Sequence, residues 1–217
     1  MSEEGQDGEF SADVVRSWGY GQKEEAVLLE LHRAAAHAGP TSLAWQLLDF
    51  VRQRRPRLYW SERIDRLGFA GLTLALPWRY IILLNPRHVG PSPLGAATLA
   101  HELGHALWNS HGFTSLEEEY RCERLAGRAH MEMLLARGMA PAEAEPEARS
   151  LHCALDMTLP EWIAEGRRGR RRHLLRPWTW FDRHRTVDVV GNLISLGLFN
   201  LGILGHPAWH TRRELLP

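Results

Sequence analysis

The chain has 217 residues, 44% of them hydrophobic and 24% charged, a composition that fits a soluble globular protein and excludes a wholly disordered one. Its 26 basic and 26 acidic residues cancel, so overall charge gives no argument for nucleic acid or membrane as partner. Two cysteines, Cys122 and Cys153, make no disulfide framework and point to a reducing, cytoplasmic setting.

The N-terminus is acidic (Glu3, Glu4, Asp7, Glu9) and lacks the basic-then-apolar order of a signal peptide, so residues 1–11 read as a disordered tail. Glu24 to Ala36 has the apolar spacing of an amphipathic helix. Gly39-Pro40 stops it, and Thr41 or Ser42 caps a second helix through Gln53 whose inward stripe is Leu43, Leu47, Leu48 and Val51. Two strand-like runs follow, Gly68 to Leu76 and Arg79 to Leu84, with Pro77-Trp78 between them as for an antiparallel pair. Ser92-Pro93 then opens a helix, with serine as N-cap and proline in the first helical position. That helix runs to about Asn109. Thr114 and Ser115 stand three residues before Glu117 and Glu118, the capping-box spacing, and begin a long helix to about Arg137. Gly138 and Pro141 end it. Beyond, a helical piece is expected near Arg149 to Met157, and Thr158 with Glu161 forms another capping box.

The third of these helices, opened by Ser92-Pro93, carries His101-Glu102-Leu103-Gly104-His105. Residues four apart on a helix share a face, so both imidazoles can reach one ion. Imidazole and carboxylate ligands suit Zn2+, which makes a nucleophile of water at neutral pH, and Glu102 leans toward the same region as general base. Small and apolar neighbours mark the helix as buried, and Gly104 leaves room for close approach at the motif's centre. A buried His-Glu-His needs partners. Its third ligand has three candidates. Glu119 borders the apolar stripe of the next helix; Glu118 borders it too, and helical geometry alone does not separate them. His111 stands ten residues after His101, as in HExxHxxGxxH, but Trp108 occupies the place of that pattern's glycine. Glu123, one turn beyond Glu119, is placed to orient a ligand histidine from behind. Tyr80, His88 and Tyr120 are candidate oxyanion donors.

The run Tyr80-Ile81-Ile82-Leu83-Leu84-Asn85-Pro86, followed by Ala97-Thr98-Leu99-Ala100-His101-Glu102-Leu103-Gly104-His105, resembles the core of the ImmA/IrrE family of metallopeptidases. That family has a strand ending in Asn, a T-x-A-H-E-x-G-H helix and a later helix close to E-x-x-A-D/N-x-F-A, whose glutamate is the third zinc ligand. The matching segment is Glu119-Tyr120-Arg121-Cys122-Glu123-Arg124-Leu125-Ala126, with Cys122 for alanine, Glu123 for Asp/Asn and Leu125 for phenylalanine. The resemblance covers about Glu24 to Arg137. It implies a zincin-like α+β fold, Glu119 as third ligand, and an intracellular peptidase whose protein or peptide substrate is often a DNA-binding repressor.

The expected organisation is a tail (1–11), a zincin-like metallopeptidase domain (12–140) of N-terminal helices, small antiparallel sheet, HExxH helix and third-ligand helix, and a mostly helical C-terminal extension (141–217). In the extension, Arg167 to Arg172 with Trp178 and Trp180 reads as a solvated linker, with nucleic-acid or lipid phosphate as the alternative. Val187 to Leu204 is apolar but interrupted by Asp188, Asn192, Ser195 and Asn200. It reads as a buried helix, with peripheral membrane attachment as the alternative. His130, His152 and His173 read as surface or hydrogen-bonded histidines, and the two cysteines as structural thiols. A catalytically silent sensor built on the same fold is the rival to an enzyme; the intact Glu102 speaks against it, because metal binding alone does not need it.

Overall fold

The computed structural model describes residues 11–62, 64, 70–76, 79–108 and 116–165. The architecture is α+β, mostly helical, with one three-stranded sheet. In chain order it has α1 (Ala12–Arg16), α2 (Gln22–Ala38), α3 (Leu43–Arg54), β1 (Arg57–Trp60), β2 (Gly71–Leu76), β3 (Arg79–Leu84), α4 (Pro93–Trp108), α5 (Leu116–Ala136) and α6 (Pro141–Leu151). A 3-10 turn, Cys153–Leu155, and helical residues 159–165 complete the described part.

The local signals act where they stand. Ser42 Oγ accepts from the Trp45 amide at 3.2 Å, and Leu43, Leu47, Leu48 and Val51 are all buried. Ser92 Oγ accepts from the Gly95 amide at 3.2 Å at the start of α4. Thr158 donates its amide and its hydroxyl to Glu161 at 2.7 and 2.8 Å. One cap is tertiary: Glu132 of α5 accepts the Leu43 and Ala44 amides at 3.1 and 2.8 Å, so α5 supplies the carboxylate that the first turn of α3 lacks.

Two expectations need correction. The sheet is mixed rather than antiparallel, with order β1-β3-β2. β2 and β3 pair antiparallel from Gly71↔Leu84 to Leu76↔Arg79, but β1, which the sequence reading missed, pairs parallel to β3 from Arg57↔Ile81 to Trp60↔Leu84. β1 has four residues and only Leu58 buried, too short a pattern to signal a strand, and its partner is distant in sequence. The helix expected near Arg149 instead starts at Pro141, where proline serves as a first-turn residue, and gives way to the 3-10 turn after Leu151. The capping box at Thr114 and Ser115, residues 1–10 of the expected tail, Pro77-Trp78, Arg167 to Arg172, His173 and Val187 to Leu204 lie outside the described residues; Ser11, expected to end the tail, caps α1 by accepting from the Val14 amide at 3.3 Å. Among those described, no helix is long and apolar enough to cross a membrane.

The core lies where α2, α3, α4 and α5 meet one face of the sheet, with Leu28, Leu31, Leu47, Ile82, Leu99, Leu103 and Leu125 completely buried. Each such side chain contributes ~1.5–3 kcal/mol by leaving water. A buried carboxylate ties the helices together at one end: Glu30 of α2 accepts from Arg33 and, at 2.8 and 3.0 Å, from Arg137 just past α5. α4 is thereby held between β2 and α5, and the HExxH turn lies at that junction.

Candidate metal centre

α4 can approach its neighbours closely because its sides are small or apolar. A Cβ on Gly104 would stand 3.0 Å from Cys122 Sγ and 3.1 Å from Leu125 Cδ2, so the glycine sets the depth to which α5 packs. That contact brings the acidic first turns of α5 over the two histidines.

His101 and His105 turn their rings together, with centroids 4.9 Å apart and Nε2 atoms 3.1 Å apart. Glu119 closes the group: its Oε2 is 3.3 Å from His101 Nε2 and its Oε1 is 3.7 Å from His105 Nε2. The opposite ring nitrogens are each held by another carboxylate. His101 Nδ1 lies 3.2 Å from Glu123 Oε2, and His105 Nδ1 lies 2.9 Å from Glu118 Oε1. An ionised carboxylate only accepts, so each Nδ1 carries the hydrogen it donates. In the neutral rings both Nε2 atoms are then bare lone pairs, facing each other and a carboxylate. Three acceptors in such a gap repel one another unless a cation lies between them.

The dimensions fit zinc. Tetrahedral ligands at about 2.0–2.15 Å from the ion are separated from one another by about 3.3–3.5 Å. The imidazole pair at 3.1 Å and the nearer Glu119 oxygen of each ring, Oε2 at 3.3 Å and Oε1 at 3.7 Å, lie close to that value. These three residues form one of two His/Cys/Asp/Glu groups, among the described residues, with ligand atoms close enough to share an ion. The other is His105, Glu118 and Cys122. It is the poorer donor set: burial, followed by Glu118 and three further carboxylates, holds the Cys122 thiol well above its ordinary pKa and therefore protonated.

Charge makes the same demand. Burial opposes a charge on His101, but hydrogen bonds with Glu119 and Glu123 and the nearby Glu102 carboxylate outweigh it and push its pKa up to about 10. Burial opposes charge on His105 too, and Glu118 with Glu102 and Glu119 raises its pKa nonetheless. Burial acts to raise Glu119 and Glu123, yet the imidazoles pull both down, Glu123 to about 2. Without metal, a proton supplies the positive charge that the carboxylates require.

Glu102 is buried at 5% exposure beside this group, and its side chain reaches β2. Thr73 Oγ1 lies 2.7 Å from Glu102 Oε2 and 2.8 Å from the Glu102 carbonyl, so its one hydrogen is shared between the carboxylate and the backbone of the same residue. The carboxylate fits against the strand because residue 71 is glycine: a Cβ there would come within 2.6 Å of Glu102 Oε1. Sequence reasoning missed both Thr73 and Gly71, because the contact joins a strand to a helix across the chain and leaves no periodic signal.

Glu118, an alternative for the third ligand, therefore faces Nδ1 of His105 rather than the Nε2 gap, and His111 lies outside the described residues. Of the candidate oxyanion donors, Tyr120 has its hydroxyl committed to the Met157 carbonyl at 2.8 Å, Tyr80 is buried against Phe50, and His88 is exposed. His130 and His152 correct the expectation of surface or fully hydrogen-bonded rings: both are buried, and among the described residues His130 Nδ1 and His152 Nε2 have no hydrogen-bond partner. Burial and the neighbouring His152 bring the His130 pKa down to about 4, so that ring is neutral. Cys122 is buried and Cys153 exposed, both as free thiols. No protein-family model, curated protein or solved structure matches the chain.

Proposed function

We propose that the protein is a zinc-dependent peptidase that hydrolyses peptide bonds with water, built as a zincin-like domain of the ImmA/IrrE type. One observation carries this reading: two imidazole Nε2 atoms and the Glu119 carboxylate converge on one gap, while Glu118 and Glu123 face the Nδ1 atoms on the far side of each ring. A zinc ion bound there supplies Lewis acidity and lowers the pKa of water toward about 7.

The remaining work belongs to side chains of the protein. His101, His105 and Glu119 would hold the ion. Glu118 and Glu123 fix the tautomers of the two rings and raise their basicity as ligands. Glu102, anchored at Oε2 by Thr73, keeps Oε1 to take a proton from water and return it to the leaving amine. A carboxylate at this position is unnecessary for binding a metal, which favours catalysis over a silent sensor. The substrate's shape follows from the sheet. β2 is an outer strand with Gly71 and Thr73 against Glu102, and among the described residues no strand pairs with its other edge. An extended peptide can pair with such an edge and bring a scissile bond to the site. A protein substrate inside the cell, such as a DNA-binding repressor, is the part of the proposal that rests on the family resemblance alone.

The test compares purified wild type with Glu102→Gln. Wild type should bind one zinc per chain and cleave a proteome-derived peptide library. The variant should keep its zinc and lose about 10²–10⁴ in cleavage rate, the usual size of a general-base contribution. Equal cleavage by both proteins would overturn the catalytic role.

A further inference from the structure

We propose that His152 is a positioning residue of the metal centre, holding Glu123 so that Glu123 can hold His101. The inference rests on the zinc reading above and extends it to a part of the chain beyond the helix that bears Glu119.

The two oxygens of Glu123 are divided between two imidazoles. Oε2 faces His101 Nδ1 at 3.2 Å and Oε1 faces His152 Nδ1 at 3.2 Å. A carboxylate held by one ring can still swing about its terminal bond. Held at both oxygens it has a fixed plane, and the direction of the His101 lone pair is fixed with it. His152 is 6% exposed, and among the described residues its Nε2 has no hydrogen-bond partner. Among the described residues, Glu123 is the carboxylate that its ring engages, and the edge of His130 packs at 5.4 Å between centroids.

The backbone is arranged to deliver this ring. His152 closes α6, donating its amide to the Ala148 carbonyl at 3.0 Å, and its own carbonyl starts the 3-10 turn by accepting from Leu155 at 3.0 Å. Arg149 braces the turn through Glu145 and Asp156. α6 lies against α5 on Ala144 and Ala148, both fully buried, and the contact depends on a bare backbone in α5. A Cβ on Gly127 would meet the Leu155 side chain at 2.7 Å and His152 Cβ at 2.9 Å. Gly127 lies one turn after Glu123 on the same helix, so the glycine admits the ring and the glutamate receives it. The histidines of the centre are therefore supported from two directions, His105 by Glu118 with Cys122 Sγ at 3.5 Å, and His101 by a Glu123–His152 pair.

The experiment measures zinc affinity by chelator competition in the full chain, with thermal melting of each metal-free protein as a check on folding. His152→Leu keeps most of the volume and removes the donor; His152→Asn returns an N–H close to the position of Nδ1. The expected result is a loss of about tenfold in affinity for the leucine variant, within the range for partners of ligand histidines, and recovery to near wild type for the asparagine variant. In a Glu123→Ala background, His152→Leu should cost nothing more, because the coupling runs through that carboxylate. Wild-type affinity in the leucine variant, equal losses in both variants, or full additivity with Glu123→Ala would overturn the positioning role alone. Failure of the wild type to bind zinc would overturn the metal reading and this inference together.

Discussion

Zinc and a proton compete for the same gap, and the structure sets the size of that competition. His101 is pushed to a pKa of about 10 in the metal-free protein by Glu119, Glu123 and Glu102 acting against its burial. At pH 7 the ring lies about 3 units below that value, so binding must expel its proton at a cost of about 10³ in apparent affinity, or about 4 kcal/mol. The sign follows directly: affinity falls as pH falls, and between pH 7 and 9 it should rise about tenfold per pH unit. Chelator competition at several pH values measures the slope. Calorimetry in buffers of different ionisation enthalpy counts the protons, of which about one per zinc should be released at pH 7. Stability of the metal-free protein carries the mirror image. The folded pKa exceeds the ordinary value of about 6.5, so this contribution is complete below about pH 6.5 and disappears as pH rises through about 10. The zinc-loaded protein should not share that decline. An affinity flat from pH 7 to 9, with no proton released, would refute the view that these nitrogens meet at one cation.

The two neighbouring glutamates should separate cleanly. Glu119→Gln removes a ligand and should weaken zinc by about 10²–10³, if a site worth ~10–16 kcal/mol is shared by about four ligands. Glu118→Gln leaves the Nε2 gap intact and should cost only about 10–100-fold, measured by the same competition. Gly104→Val would drive a branched side chain into Cys122 and Leu125, destabilise the fold by ~1–3 kcal/mol, and lower the melting temperature by about 3–9 °C in a thermal scan. The same substitution should weaken zinc, because it moves α5 and Glu119 away from α4.

Much of this arrangement is legible in the chain because it is local. A helix repeats every 3.6 residues, so the spacing of His101 and His105 fixes a shared face, and Ser92-Pro93 fixes where that helix begins. The caps at Ser42 and Thr158 and the buried stripe of α3 are local in the same sense. What lay beyond reach was every choice made by contact between distant elements. Glu118, Glu119 and Glu123 all border one face of α5. Only the rotation of α5 against α4, set at Gly104, decides which carboxylate meets Nε2 and which meets Nδ1. Parallel pairing of β1 with β3, Thr73 beneath Glu102 and His152 behind Glu123 likewise join residues with no shared period. The two histidines, the glutamate between them and the helix that carries them can be read straight from the residue order, because backbone geometry repeats at short range. Tertiary packing alone decided how the surrounding carboxylates are divided among the ring nitrogens, because hydrogen bonds discriminate over tenths of an ångström that periodicity does not encode.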